Sequence, residues 1–203
     1  MRKIFVTGIS TNVGKTVVSS VLVESLAADY WKPIQAGTGV PTDSDQIKKC
    51  LSNENSIIHP EAYRLIAAIS PHAAAALEGI EIDPEKIVLP NTSRTLIIEG
   101  AGGLLVPLNN KYFMVDLITK FEAEVILVIK NYLGSINHTL LTIDFLKSRG
   151  IPIVGLVFNG ETNTASEKLI LEYSKIHCIL RLNKEEKIDK NCILKYSKLL
   201  KEF

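Results

Sequence analysis

Lys15 and Thr16 close the stretch Val6–Thr16, VTGISTNVGKT, in which five residues separate Gly8 from Gly14. A glycine-rich loop ending in Lys-Thr is built to hold phosphate. Its backbone N–H groups converge on phosphate oxygens, the lysine reaches the β- and γ-phosphates, and the hydroxyl is offered to magnesium. The common spacing places four residues between the glycines, so this loop is one residue longer. The competing reading is an ordinary turn, and the flanking sequence decides between them. Ile4-Phe5-Val6-Thr7 supplies a strand before the loop, and Val17, Val18, Val21, Leu22 and Leu26 recur at helical spacing after it. A helix starting there adds its partial positive charge to the anion site.

Magnesium on a nucleotide calls for oxygen ligands. Glu99 ends the apolar run Leu96-Ile97-Ile98 and enters the segment EGAGG, Glu99–Gly103. Ligands of open α/β sheets sit beyond the carboxyl ends of strands, so this carboxylate is well placed. Asp45 lies in TDSDQI, where Thr42 or Asp43 caps a helix; on its own it reads more readily as a first-turn partner of the helix dipole than as a ligand. Lys32 precedes Pro33 and is therefore extended. Its residue type leaves two readings open, a surface charge or a second cation facing an anion.

Four continuous apolar runs, Ile4–Val6, Leu96–Ile98, Val125–Ile129 and Ile153–Phe158, do not alternate with polar residues. Strands buried on both faces have this composition. Helical patterns lie between them, including one starting with Ser135 as N-cap and stopping near Gly150. The expectation is a single α/β domain over residues 1–203, a mostly parallel central sheet with helices on both faces, of the phosphate-loop NTPase kind. Helices are expected near Asp43–Leu51, Pro71–Glu78 and Pro84–Val88, a loop over Gly37–Ser44, and a helical tail over Lys184–Phe203.

The chain is 46% hydrophobic and 22% charged, with a formal net charge of +1. That balance argues against a broad nucleic-acid footprint. Three cysteines without CxxC spacing suggest reduced thiols. No apolar run is long enough to cross a membrane, so a cytoplasmic protein is expected. The histidines carry no zinc spacing; His59 and His177 read as loop or surface residues.

Taken together and in order, the loop GISTNVGKT, KPIQAG at Lys32–Gly37, the acid Asp45, SPH at Ser70–His72, EGAGG at Glu99–Gly103, LGSINH at Leu133–His138 and GLVFN at Gly155–Asn159 resemble the dethiobiotin synthetase family, over roughly residues 1–160. The resemblance implies an ATP-dependent ring closure. Diaminopelargonic acid takes up carbon dioxide as a carbamate, the carbamate attacks the γ-phosphate, and the second amine closes a cyclic urea. It also implies magnesium held by Thr16, Asp45 and Glu99, and catalytic roles for Lys15, Lys32 and Thr11. Nucleotide contacts would come from Asn12, Val13, Gly14, Lys15, Thr16, Val17, Asp45, Glu99, Gly100, Ala101, Gly102 and Asn159, the last facing the base. Substrate would be met by Thr11, Lys32, the Ala36 position and, from the second subunit of a homodimer, Leu133, Gly134, Ser135 and Asn137.

Two departures stand out. Ala36 occupies a place where the family often carries a Ser or Thr that bonds substrate. The segment HCILRLNKEEKI, His177–Ile188, lacks the Gly- and Pro-containing base loop of the family, which predicts weak preference for adenine. Two other readings are a phosphate-loop synthetase acting on a different acid and a nucleotide switch or partner-regulating ATPase. Against the switch, Ile9 and Ser10 stand where partner-moving ATPases carry a lysine, and Asn183-Lys184 is not followed by a guanine-reading aspartate.

Overall fold

The computed structural model describes residues 1–39 and 41–203; Val40, within the expected Gly37–Ser44 loop, lies outside the described residues. The strands and helices follow one another as β1 (Lys3–Gly8), α1 (Lys15–Leu26), β2 (Asp29–Trp31), β3 (Ile34–Ala36), α2 (Asp43–Cys50), β4 (Ile58–His59), β5 (Tyr63–Leu65), α3 (Pro71–Leu77), β6 (Leu96–Glu99), α4 (Met114–Phe121), β7 (Glu124–Lys130), α5 (Ser135–Ser148), β8 (Ile153–Asn159), α6 (Thr164–Ser174), β9 (Cys178–Leu182) and α7 (Lys190–Ser197).

Seven strands form one sheet in the order β4-β2-β6-β1-β7-β8-β9, and every pairing in it is parallel. β3 and β5 make a small parallel pair beside it. Alternation along each strand explains the continuous apolar runs. Ile4, Val6, Ile97, Ile126 and Val128 pack with Val18, Val21, Leu22, Ile193 and Tyr196 of α1 and α7. Phe5, Leu96, Ile98 and Val125 turn to the other face and pack with α4, while Leu127, Leu156 and Phe158 meet Ile143 and Ile170 of α5 and α6. Both faces are thereby buried, as a parallel sheet requires. Because all seven strands run the same way, their carboxyl ends lie along one edge, and β6 and β7, consecutive in sequence, sit on either side of β1.

Several local expectations are corrected. Gly134, at φ 99°, is the N-cap of α5, and Ser135 is its first helical residue. Pro84–Lys86 is one 3₁₀ turn rather than an α-helix. The tail helix is confined to α7, docked on α1. β2, β4 and β9 were not marked by apolar runs. β2 is three residues long and pairs on both sides, so its place comes from neighbours rather than from its own pattern. His59 is buried on β4 with its Nε2 3.4 Å from Asp29 Oδ2, not on a surface loop.

Candidate active site

The phosphate loop starts where β1 ends. Ile9 N–H donates to the Val128 carbonyl, Asn12 takes a left-handed conformation at φ 54°, and Gly14 follows at φ 98°. Asparagine is among the few non-glycine residues that tolerate this conformation, and it absorbs the additional residue of the loop. Gly14 is also sterically constrained, because a Cβ there would lie 2.1 Å from Asn159 Nδ2. That amide donates to the Val13 carbonyl at 2.8 Å, tying the end of β8 to the loop.

Lys15 and Thr16 then open α1. Lys15 Nζ donates to the Ser10 carbonyl at 3.1 Å, folding its side chain back over the loop. Burial pulls its pKa down to about 8; Glu99 and Asp43 oppose the shift and Lys32 adds to it.

Three oxygen groups converge beside the loop. The Thr16 hydroxyl lies 2.8 Å from Asp43 Oδ1 and 2.9 Å from Glu99 Oε1. A hydroxyl has one proton, so it satisfies one of these acceptors at a time. The cluster is short of protons and calls for positive charge. Lys32, a residue only 4% exposed, supplies it: its ammonium is 3.2 Å from Glu99 Oε1 and pairs directly with Asp43 Oδ2. Burial acts to lower the Lys32 pKa, but the two carboxylates outweigh it and hold the pKa above the usual lysine value. Asp43 moves the opposite way: burial is outweighed by Lys32, Thr16 and Lys15, and its pKa lies below the usual value. Tyr30, fully buried, completes the group by donating from its hydroxyl to Glu99 Oε2 at 3.0 Å.

These residues open on a cleft of about 750 Å³ whose lining also includes Thr11, Ala36, Ala101 and Gly102. Gly100 is turned away, packed against Phe5, and its N–H donates to the Val6 carbonyl. A second cleft of about 410 Å³ lies at the carboxyl ends of β8 and β9, lined by Val17, Asn131, Asn159, Asn183 and Glu185 among others. Val17 borders both clefts.

Asp45 does not join the cluster. Its carboxylate accepts from the backbone N–H and the hydroxyl of Thr42, while Asp45 N–H donates to the Thr42 hydroxyl, forming a capping box on α2. Asp43, not singled out from sequence as a ligand, takes the inward place. Two residues on a helix are about 200° apart around its axis, so both acids cannot face the loop. The pattern Thr42-x-x-Asp45 was the available signal, because a side chain closing a capping box is committed to the backbone. Leu133, Gly134, Ser135 and Asn137 do not line the cleft of their own chain. They sit past the end of β7, where Leu133 is completely exposed and Tyr132 N–H donates to Ser135 Oγ at 3.3 Å.

No group of three or more His, Cys, Asp and Glu is arranged for a metal among the described residues. The cleft instead joins two carboxylates to a hydroxyl. This all-oxygen, incomplete set suits magnesium, which keeps several waters and completes its shell with phosphate oxygens. Among the described residues no helix is long and apolar enough to cross a membrane.

A family profile described as an AAA domain matches residues 2–191. The ATP-dependent dethiobiotin synthetase of Cytophaga hutchinsonii is 54% identical over 97% of this chain and 96% of its own length. That of Christiangramia forsetii is 48% identical over 95% and 93%. Among solved structures, the cell division ATPase MinD of Pyrococcus furiosus superposes with a TM-score of 0.60 at 14% identity, covering 98% of this chain and 97% of that one. At that identity the likeness establishes the fold, a phosphate-loop NTPase sheet.

Proposed function

The chain belongs to the ATP-dependent dethiobiotin synthetase family of ligases, and from that premise we propose that it closes diaminopelargonic acid and carbon dioxide into the cyclic urea of dethiobiotin, with ATP converted to ADP and phosphate. The observation that carries the reading is the buried Lys32 ammonium between Asp43 and Glu99 at the phosphate loop. A carbamate and a triphosphate repel each other, and a site that joins them must gather positive charge where negative charge develops. Lys15 serves the β- and γ-phosphates from the helix N-terminus, and Lys32 serves the carbamate and the transferred phosphoryl group. Phosphoryl transfer of this kind depends on positioning and charge stabilisation, which rigid strand ends provide.

Thr16, Asp43 and Glu99 would hold magnesium, with Asp43 replacing Asp45 in that role. Bound there, magnesium neutralises charge on the phosphate oxygens. Thr11, on the loop lip, is placed to meet substrate, and Ala36 offers it no hydrogen bond. The base is assigned to the second cleft. Asn159 borders that cleft and also holds the loop through its Nδ2; because the segment His177–Ile188 carries neither Gly nor Pro, adenine is read weakly, and ATP, GTP and CTP should support comparable rates. The substrate carboxylate reaches Leu133–Asn137 of a second copy in a homodimer, a reading supported by the exposure of Leu133 and Tyr132. Three free thiols suit a cytoplasmic protein.

The test is ADP release by the pure protein. It should require diaminopelargonic acid and bicarbonate together, with dethiobiotin identified by mass. Hydrolysis of ATP at the same rate without them would favour a nucleotide switch.

A further inference from the structure

We propose that Tyr30 is a positioning residue for Glu99, its hydroxyl pinning one carboxylate oxygen so that the other faces Thr16, Asp43 and the cleft. The proposal rests on the reading that Glu99 helps hold magnesium.

The backbone prepares the contact. Tyr30 pairs with Ile97 across β2 and β6, and Glu99 lies two residues further along β6 on the same face. The long tyrosine side chain spans that offset, its hydroxyl lying 3.0 Å from Glu99 Oε2. α1 covers this face, so the Tyr30 ring packs among Ile4, Val21 and Leu22 while its hydroxyl emerges beside the phosphate loop.

The two oxygens of Glu99 are used differently. Oε1 meets the Thr16 hydroxyl at 2.9 Å and the Lys32 ammonium at 3.2 Å. Oε2 accepts from Tyr30 at 3.0 Å, its one partner among the described residues. The terminal torsion of a glutamate is broad and roughly two-fold, so packing alone does not choose which oxygen points outward. A hydrogen bond to one oxygen does. Carboxylates that ligate metals are commonly held in this way, and loss of such a partner costs about 10–100-fold in metal affinity or activity. A phenylalanine would fill the same apolar space. The hydroxyl is the part of Tyr30 whose removal tests the proposal, because a buried tyrosine hydroxyl needs a partner and here that partner is Glu99.

The experiment compares full-length wild type, Tyr30→Phe, Glu99→Gln, the double variant and Trp31→Phe. Trp31 is the neighbouring core aromatic, packed on the opposite face of the sheet. Two readouts are taken across a magnesium titration: the rise in melting temperature with ADP present, and ligase rate. Tyr30→Phe should raise the half-saturating magnesium concentration about tenfold in both, with kcat at saturating magnesium within about twofold of wild type. In the Glu99→Gln background it should add nothing. Trp31→Phe should lower the melting temperature without moving the magnesium midpoint. A Tyr30→Phe midpoint within twofold of wild type, beside a strongly shifted Glu99→Gln, would overturn the proposal alone. An unshifted Glu99→Gln would overturn the reading of Glu99 and the proposal with it. Equal shifts in Tyr30→Phe and Trp31→Phe would reduce the effect to general loosening of the core and also overturn it.

Discussion

β2 carries a buried ionic network at each end, and the two networks are finished differently. At its start, Asp29 has no exposed surface and accepts from Ile57 N–H at 2.8 Å and the Thr92 hydroxyl at 2.6 Å, with Arg94 and His59 each 3.4 Å away. Every partner lies on a neighbouring segment, so this network fastens β4 and the entry to β6 onto β2. Just past its other end, Lys32 is nearly as buried and also paired, yet Lys32, Asp43 and Glu99 all line the large cleft. Burial and pairing are common to both. What separates them is that the second network faces space for a ligand and holds three oxygens with too few protons, so its charges remain available for chemistry.

Substitutions at the two ends should therefore damage different properties. The largest effect is expected from Asp43→Ala, a loss of about 10²–10³ in kcat/KM, the scale of removing one preorganised group at a charge-stabilising site. Urea unfolding of the same variant should stay close to wild type. Asp29→Ala should do the reverse. It leaves several buried donors unpaired and should cost about 2–3 kcal/mol in urea unfolding, while the folded fraction keeps its kcat.

The Asp29 network also has an acid signature. Despite the opposing effect of burial, its hydrogen bonds hold the Asp29 carboxyl below the ordinary 3.8. Its contribution is fully present above about pH 4 and is lost as pH falls through the lower folded value. Asp29→Asn should flatten the stability curve in that acidic window and nowhere else. Asp45→Ala, by removing the capping box, should lower the melting temperature by about 2–4 °C with activity intact; a large loss of activity would return Asp45 to the site. The smallest effect is a proton count. With Lys15 near 8 in the free protein, nucleotide binding at pH 8 should take up about half a proton, read from the buffer dependence of the calorimetric heat.

Much of this was legible before the structure. The loop and Glu99 are marked by residue types and by their places after strands, and the central strands by apolar runs, whereas Lys32 stood between two readings on its residue type and was singled out by the family resemblance. What was hidden has definite causes. Asp43 and Asp45 sit in the same helical turn, and composition does not tell which faces inward; the capping box does, once the N-cap is fixed at Thr42. Tyr30 is an aromatic in a three-residue strand, and only the parallel register with β6 brings its hydroxyl to Glu99. His59 looked like a loop residue because β4 is two residues long and exists through pairing with β2.

The central claim is that the Lys32 charge, held between Asp43 and Glu99, serves the reaction rather than the fold. It is tested most directly by kcat/KM for dethiobiotin formation in Lys32→Ala, measured with ADP affinity on the same preparation. The account predicts a loss of about 10²–10³-fold, about 3–4 kcal/mol, with ADP affinity little changed. A variant that forms dethiobiotin within about threefold of the wild-type rate would contradict it.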